Sequence, residues 1–195
     1  MKEKMNVAEV IKTGLILFLI TAISAALLAV VNAKTAPIIE ENNKETEKNA
    51  LYSVMPEALG GFEEVSLPEG SASELTKAYV ALDEDKNIIG VCAITETTGY
   101  DVGIQTVTGV DLDLTVTGVE IISMNETPGL GAKAKEESFR SMYVGKSGTV
   151  GVSKASADEH NIQAISGATK TSNGVTKGVN IALETAERIL EGGVE

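Results

Sequence analysis

One stretch of the chain is apolar on every side of a helix. From Thr13 to Ala33 there are 21 consecutive residues without a charge, with GLILFLITAISAALLAVV at the centre. At about 1.5 Å per helical residue this run reaches about 30 Å, the thickness of a bilayer's hydrocarbon layer. An all-round apolar surface also disfavours a helix lying in the interface. The pattern predicts a transmembrane helix over 13–33. Pro37 suits the first turn of a new helix, and the polar run that follows predicts a helical stalk over 34–56, ending near Pro56. Ile38, Ile39, Leu51 and Met55 are its candidate apolar contacts. Residues 59–70 read as loop, punctuated by Gly60-Gly61, Pro68 and Gly70.

Strand patterns come next. LTKAYVALD, NIIGVCAIT, VGIQTVTGVD and LDLTVTGVEIISM are rich in Val, Ile and Thr. Asp85-Lys86-Asn87 predicts a hairpin turn between the first two. Leu112, Leu114 and Val116 alternate with Asp113, Thr115 and Thr117, which extends the fourth strand back to 112. A helix is expected over Ala132–Met142 and another over Ser172–Leu190. In the latter, Val175, Val179, Leu183, Ala186 and Leu190 share one face. Strands followed by helices predict an α+β domain with a mainly antiparallel sheet, over 57–195.

Charge sharpens this picture. The whole chain carries a formal charge of −12, but residues 1–34 hold four lysines and two glutamates, a balance of +2. The remainder is therefore at −14. Lys2, Lys4 and Lys12 precede the apolar run, so residues 1–12 are expected in the cytoplasm and the acidic domain outside it. The expected location is the cell (inner) membrane, crossed once. Val31-Asn32-Ala33 resembles a signal-cleavage site, but the apolar run exceeds the ~7–15 residues of a signal core, and an uncleaved anchor is expected. A body this acidic repels a phosphate backbone, which excludes nucleic acid as a partner. Cys92 is the single cysteine and His160 the single histidine, so no disulfide, cysteine-ligated cluster or typical zinc site is expected. His160 reads as a solvated loop residue.

Two segments imitate familiar motifs. Gly145-Lys146-Ser147 ends like a phosphate loop, but Arg140 stands where its first glycine belongs. Gly129-Leu130-Gly131-Ala132-Lys133-Ala134 matches a relaxed dinucleotide fingerprint, yet the preceding strands look hairpin-connected rather than parallel. A third segment, Ile165-Ser-Gly-Ala-Thr-Lys-Thr-Ser-Asn-Gly174, is a small-residue loop before a helix. Thr171 or Ser172 can cap that helix. Equally, free amides and a partial positive charge at a helix start favour a phosphate, and small residues let a bulky group approach. Ser166, Thr169, Thr171 and Ser172 all offer a hydroxyl for a phosphate ester.

The segment SGATKTS, residues 166–172, resembles the flavinylation motif SGATxT of the FMN-binding domain in the G subunit of Rnf-type electron-transport complexes. The same domain occurs in the C subunit of sodium-pumping NADH:quinone oxidoreductases. Glu126-Thr127-Pro128-Gly129-Leu130-Gly131 resembles the family's ETPGLG loop. The resemblance spans essentially the whole chain. It departs at Val102, where the family often has glycine, and at Met124, where it often has histidine.

The resemblance implies FMN esterified through its phosphate to Thr171 by a separate flavin transferase that uses FAD as donor. Ser166, Gly167, Ala168 and Thr169 would shape the loop around the phosphate. Glu126, Thr127, Gly129, Leu130 and Tyr100 would approach the ring or ribityl chain. No residue is expected to act as a catalytic acid or base, and no metal is expected. The implied role is an electron-carrying subunit of an ion-translocating oxidoreductase, without independent catalysis, coupling reduced ferredoxin and NAD to ion movement. Its implied partners are the other membrane and peripheral subunits, the flavin transferase and the lipid bilayer. Two other readings remain: the C subunit of the quinone reductase or another flavinylated extracytoplasmic electron carrier, and an anchored binding module without flavin.

Overall fold

The computed structural model describes residues 7–192. Lys2 and Lys4, on which the expected placement of residues 1–12 partly rests, lie outside the described residues. The apolar run sits inside one helix, α1 (Val7–Val54), which is continuous where two helices were expected. Pro37 is interior to it rather than at a first turn. Thr35 shows why no new helix starts there. Its hydroxyl donates back to the Val31 carbonyl at 3.1 Å, within the preceding turn, instead of capping a following one. Within α1 the large apolar side chains from Val10 to Val31 are exposed, as suits a helix whose solvent is lipid.

The chain divides into two units, residues 1–45 and 46–195. In the second, the final turns of α1 precede five strands: β1 (Gly61–Val65), β2 (Leu75–Leu82), β3 (Ile88–Thr98), β4 (Val102–Asp111) and β5 (Val116–Ser123). They form an antiparallel meander in sequence order. Three short helical turns follow, α2 (Gly131–Lys135, 3₁₀), α3 (Glu137–Arg140) and α4 (Ser141–Tyr143, 3₁₀). A small parallel pair, β6 (Gly151–Ser153) and β7 (Asn161–Gln163), leads to the long closing helix α5 (Thr169–Gly192).

Both faces of the meander are covered. Cys92, Ile94 and Val107 pack with Ala50, Leu51, Val54 and Met55 from the end of α1. Val91, Ile104 and Val110 face the other way and pack with Val175, Val179, Leu183 and Ala186 of α5. This two-sided burial explains why β3 reads as a nearly continuous apolar run instead of alternating. The end of α1 is fastened to the sheet by the Thr117 hydroxyl, which donates to the Val54 carbonyl at 2.7 Å, and Pro56 follows as a stop.

Three expectations about elements are corrected. Residues 112–114 form a turn, not the start of β5: Asp111 Oδ1 accepts from the amides of Asp113 and Thr115, and Leu114 takes φ +56°. Residues 132–142 form successive short turns because Glu136, with ψ 140°, breaks the helix. Residues 61–65, expected as loop, are an edge strand paired with β2. The Asp85–Asn87 turn stands where expected, with Lys86 at φ +66° and Asp83 Oδ1 accepting from the amides of Asp85 and Asn87.

Candidate functional site

The turn between β3 and β4, the segment after β5 and the start of α5 converge. Gly99 N–H donates to the Asp101 carbonyl, closing a tight turn that points the amides of Tyr100 and Asp101 inward. Both donate to Glu126 Oε1, at 2.8 and 3.3 Å. Such paired backbone amides form a natural seat for an anion. The other oxygen, Glu126 Oε2, accepts from the Thr171 hydroxyl at 2.9 Å. Thr171 is 1% exposed and Glu126 8%, so this is a buried pair.

Glycine makes the convergence possible at two positions. A Cβ on Gly99 would stand 2.3 Å from Glu126 Oε1, and one on Gly131 would stand 2.4 Å from Glu126 Oε2 and 2.7 Å from Thr171 Oγ1. Neither space admits a methyl group.

Beside this pair lies a cleft of about 530 Å³, lined by Tyr100, Glu126, Thr127, Leu130, Gly131 and residues 167–171. Its size suits a cofactor or drug-sized ligand. One wall is the N-terminal turn of α5. Ser172 N–H bonds the carbonyl four residues back, at Ala168, and a helix start leaves its first amides without intrahelical partners. Tyr100 is 76% exposed at the rim, with Lys170 Nζ 5.9 Å from its ring centroid. A phosphate would find the helix start here, and a planar ring would find the exposed Tyr100 and Leu130. The residues present therefore fit a phosphorylated planar cofactor.

The structure brings together most of the residues anticipated from sequence, namely Tyr100, Glu126, Thr127, Leu130, Gly167, Ala168, Thr169 and Thr171. Two stand apart from the lining: Ser166, exposed in the turn before α5, and Gly129, exposed at φ +78° in its own turn. Capping also differs from expectation. Ser172 Oγ accepts from Ile165 N–H and donates to the Ala168 carbonyl, while Thr171 points to Glu126. Gly131 and Lys170 line the cleft without having been singled out. Gly131 had a signal, as the last letter of ETPGLG; Lys170 occupies the variable letter of SGATxT and had none.

Other candidates fall away. A larger groove of about 680 Å³ lies against α5 around Asn173, Lys177, Asn180 and Glu184, away from the Glu126–Thr171 pair. Lys146 of the apparent phosphate loop is buried and donates to the Asp158 and Glu159 carbonyls. Burial pushes the Cys92 thiol up to about 12, which makes it inert. His160 is exposed in the loop before β7. Val102 is exposed, and Met124 packs on the main core.

Comparison with known proteins bears on the same residues. The FMN-binding domain family matches residues 99–184, and the RnfG N-terminal region matches residues 1–54. The G subunit of the Na⁺-translocating ferredoxin:NAD⁺ oxidoreductase complex of Acetobacterium woodii is 36% identical, over 96% of this chain and 98% of its own length. The chain belongs to this RnfG family. The proton-translocating counterpart from Clostridium ljungdahlii is 31% identical over 83% of each chain. The G subunit of the ion-translocating oxidoreductase complex of Methanosarcina acetivorans is 28% identical over 90% of this chain and 94% of its own. In fold, the chain is similar to the crystal structure of Shewanella oneidensis NqrC, with a TM-score of 0.52 at 21% identity, covering 67% of this chain and 70% of that one. The domain is thus an α+β FMN-binding fold, and the apolar helix anchors it to a membrane. The match to an FMN-binding domain decides against a binding module without flavin.

Proposed function

We propose that this chain is the flavin-carrying, electron-relaying subunit of an ion-translocating oxidoreductase complex, with FMN esterified through its phosphate to Thr171. The observation that carries the attachment is the Thr171 hydroxyl itself. Of the four hydroxyls in the segment, it alone is both in the cleft lining and bonded to a buried carboxylate. Ser172 spends its hydroxyl on the backbone, Ser166 lies outside the lining, and Thr169 is half-buried at the edge of the helix.

A bound flavin supplies both one- and two-electron chemistry, linking hydride donors to single-electron carriers. The chain's own residues bind and orient. The first amides of α5 favour the phosphate charge, Tyr100 and Leu130 flank the cleft mouth, and Lys170 sets a positive charge beside the Tyr100 ring. An ester keeps the cofactor on a domain from which a dissociated one is not readily replaced.

The relatives at 36% and 31% identity are named for ferredoxin:NAD⁺ oxidoreductases that move Na⁺ and protons respectively. We place this chain in the same class of reaction, between reduced ferredoxin and NAD. A single helix with no charge from Thr13 to Ala33 offers no ion path, so other membrane subunits carry the ion. The lysines before the apolar run orient the N-terminus to the cytoplasm and the flavin domain to the other side. A flavin transferase, with FAD as donor, completes maturation.

The test is in-gel flavin fluorescence after denaturation, on protein co-produced with a flavin transferase. Fluorescence is expected in the wild type and absent in Thr171→Ala. A dark wild type, with the transferase active on a known acceptor, overturns the reading.

A further inference from the structure

A hydroxyl attacks phosphorus only as it loses its proton, and the structure shows where that proton points. We infer that Glu126 of the acceptor protein itself is the general base for covalent attachment at Thr171. The inference rests on the proposed ester at Thr171 and extends it to the residue that activates the nucleophile.

Three observations support the assignment. The Thr171 hydroxyl donates to Glu126 Oε2 at 2.9 Å, within the reach required of a general base. Glu126 Oε1 is held by the amides of Tyr100 and Asp101, which fixes the carboxylate with Oε2 directed at Thr171. The pair is buried and glycine-lined, with no space beside Oε2 for a methyl group at 131, so competing water is restricted. Lys170, the charged neighbour in the cleft, is directed over the Tyr100 ring. A nucleophile, its base and a third group orienting the base form the arrangement of activated hydroxyls generally.

The step balances. Thr171 Oγ1 forms a bond to the flavin-side phosphorus of FAD, and the bond from that phosphorus to the bridging oxygen breaks. AMP departs with the electron pair. The proton passes from Thr171 Oγ1 to Glu126 Oε2 and then to water at the cleft mouth. Nothing is oxidised or reduced. The transferase supplies the donor, while the acceptor supplies the activated hydroxyl.

The experiment measures the rate at which apoprotein gains flavin mass, with transferase and FAD both saturating and acceptor concentration varied. Glu126→Gln preserves shape but cannot take a proton. It is expected to slow transfer by about 100-fold or more, the usual scale of general-base catalysis, with little change in the acceptor concentration giving half-maximal rate. Glu126→Asp retains the carboxylate one methylene further back and should fall between the two. Thermal unfolding of each apoprotein checks its fold. A folded Glu126→Gln that gains flavin at the wild-type rate overturns the inference. Should that variant fail to fold, a wild-type rate in Glu126→Asp overturns it. A wild type that gains no flavin sinks the proposed function instead, so the two failures are distinct.

Discussion

Gly131 is constrained by what lies against it. Its Cα faces Glu126 Oε2 and Thr171 Oγ1 so closely that an added methyl would stand 2.4 and 2.7 Å from them. Gly131→Ala must therefore push the loop away from α5 or part the Glu126–Thr171 pair. Overpacking of this kind costs about 1–3 kcal/mol, and thermal unfolding of the apoprotein should show that loss together with slower flavin attachment. Unchanged stability and attachment would show that the loop is not seated this tightly. At this scale the sequence was informative about residue types but not about their meetings. The letters of ETPGLG and SGATxT marked Glu126 and Thr171 separately. Their hydrogen bond, across 45 positions, depends on how the short helical turns and the β6–β7 pair bring the chain back to the segment after β5.

Elements were legible in proportion to their length and regularity. The closing helix α5 shows a clean 3.6-residue period, and its apolar stripe became a buried face at Val175, Val179, Leu183 and Ala186. Strands β2, β3 and β4 were legible through Val, Ile and Thr enrichment. The alternation at 112–117 misled because Asp113 and Thr115 donate their amides to Asp111, turning what resembled a strand into a hairpin loop. Strands β6 and β7 have three residues each, too short for any period to register. Yet β7 contributes Ile162, fully buried in the main core. Ile162→Ala should destabilise the domain by about 2–5 kcal/mol, read from denaturant midpoints. A loss below about 0.5 kcal/mol, the usual bound for a surface change, would remove β7 from the core.

For the whole molecule, the order of anchor, strands and closing helix followed from pattern alone, while the meander order of the sheet did not. The continuity of α1 through Pro37 did not, because an interior proline and a first-turn proline look alike in sequence. The acidic domain has a definite response to pH. Hydrogen bonds from the Asn161 side chain, the His160 amide and the Asn161 amide hold the Asp158 carboxyl below its usual range. Asn87 does the same for Asp83. A depressed carboxylate contributes stability above its unfolded value of about 3.9, and that contribution disappears as pH falls through the lower folded value. Asp158→Ala should therefore lower Tm at about pH 6, with the difference shrinking as pH falls through the lowered folded value of the Asp158 carboxyl. A difference independent of pH would assign the effect to packing instead of charge.

The central claim, an ester at Thr171, is tested most directly by peptide mapping. Trypsin cuts after Lys154, Lys170 and Lys177, which separates Ser166 and Thr169 from Thr171. On protein matured with the transferase, the added mass of FMN less water should fall on the peptide beginning at Thr171, or on the uncut 155–177 fragment, and fragmentation should locate it at Thr171. The same mass on Ser166, Thr169 or Ser172 would contradict the account.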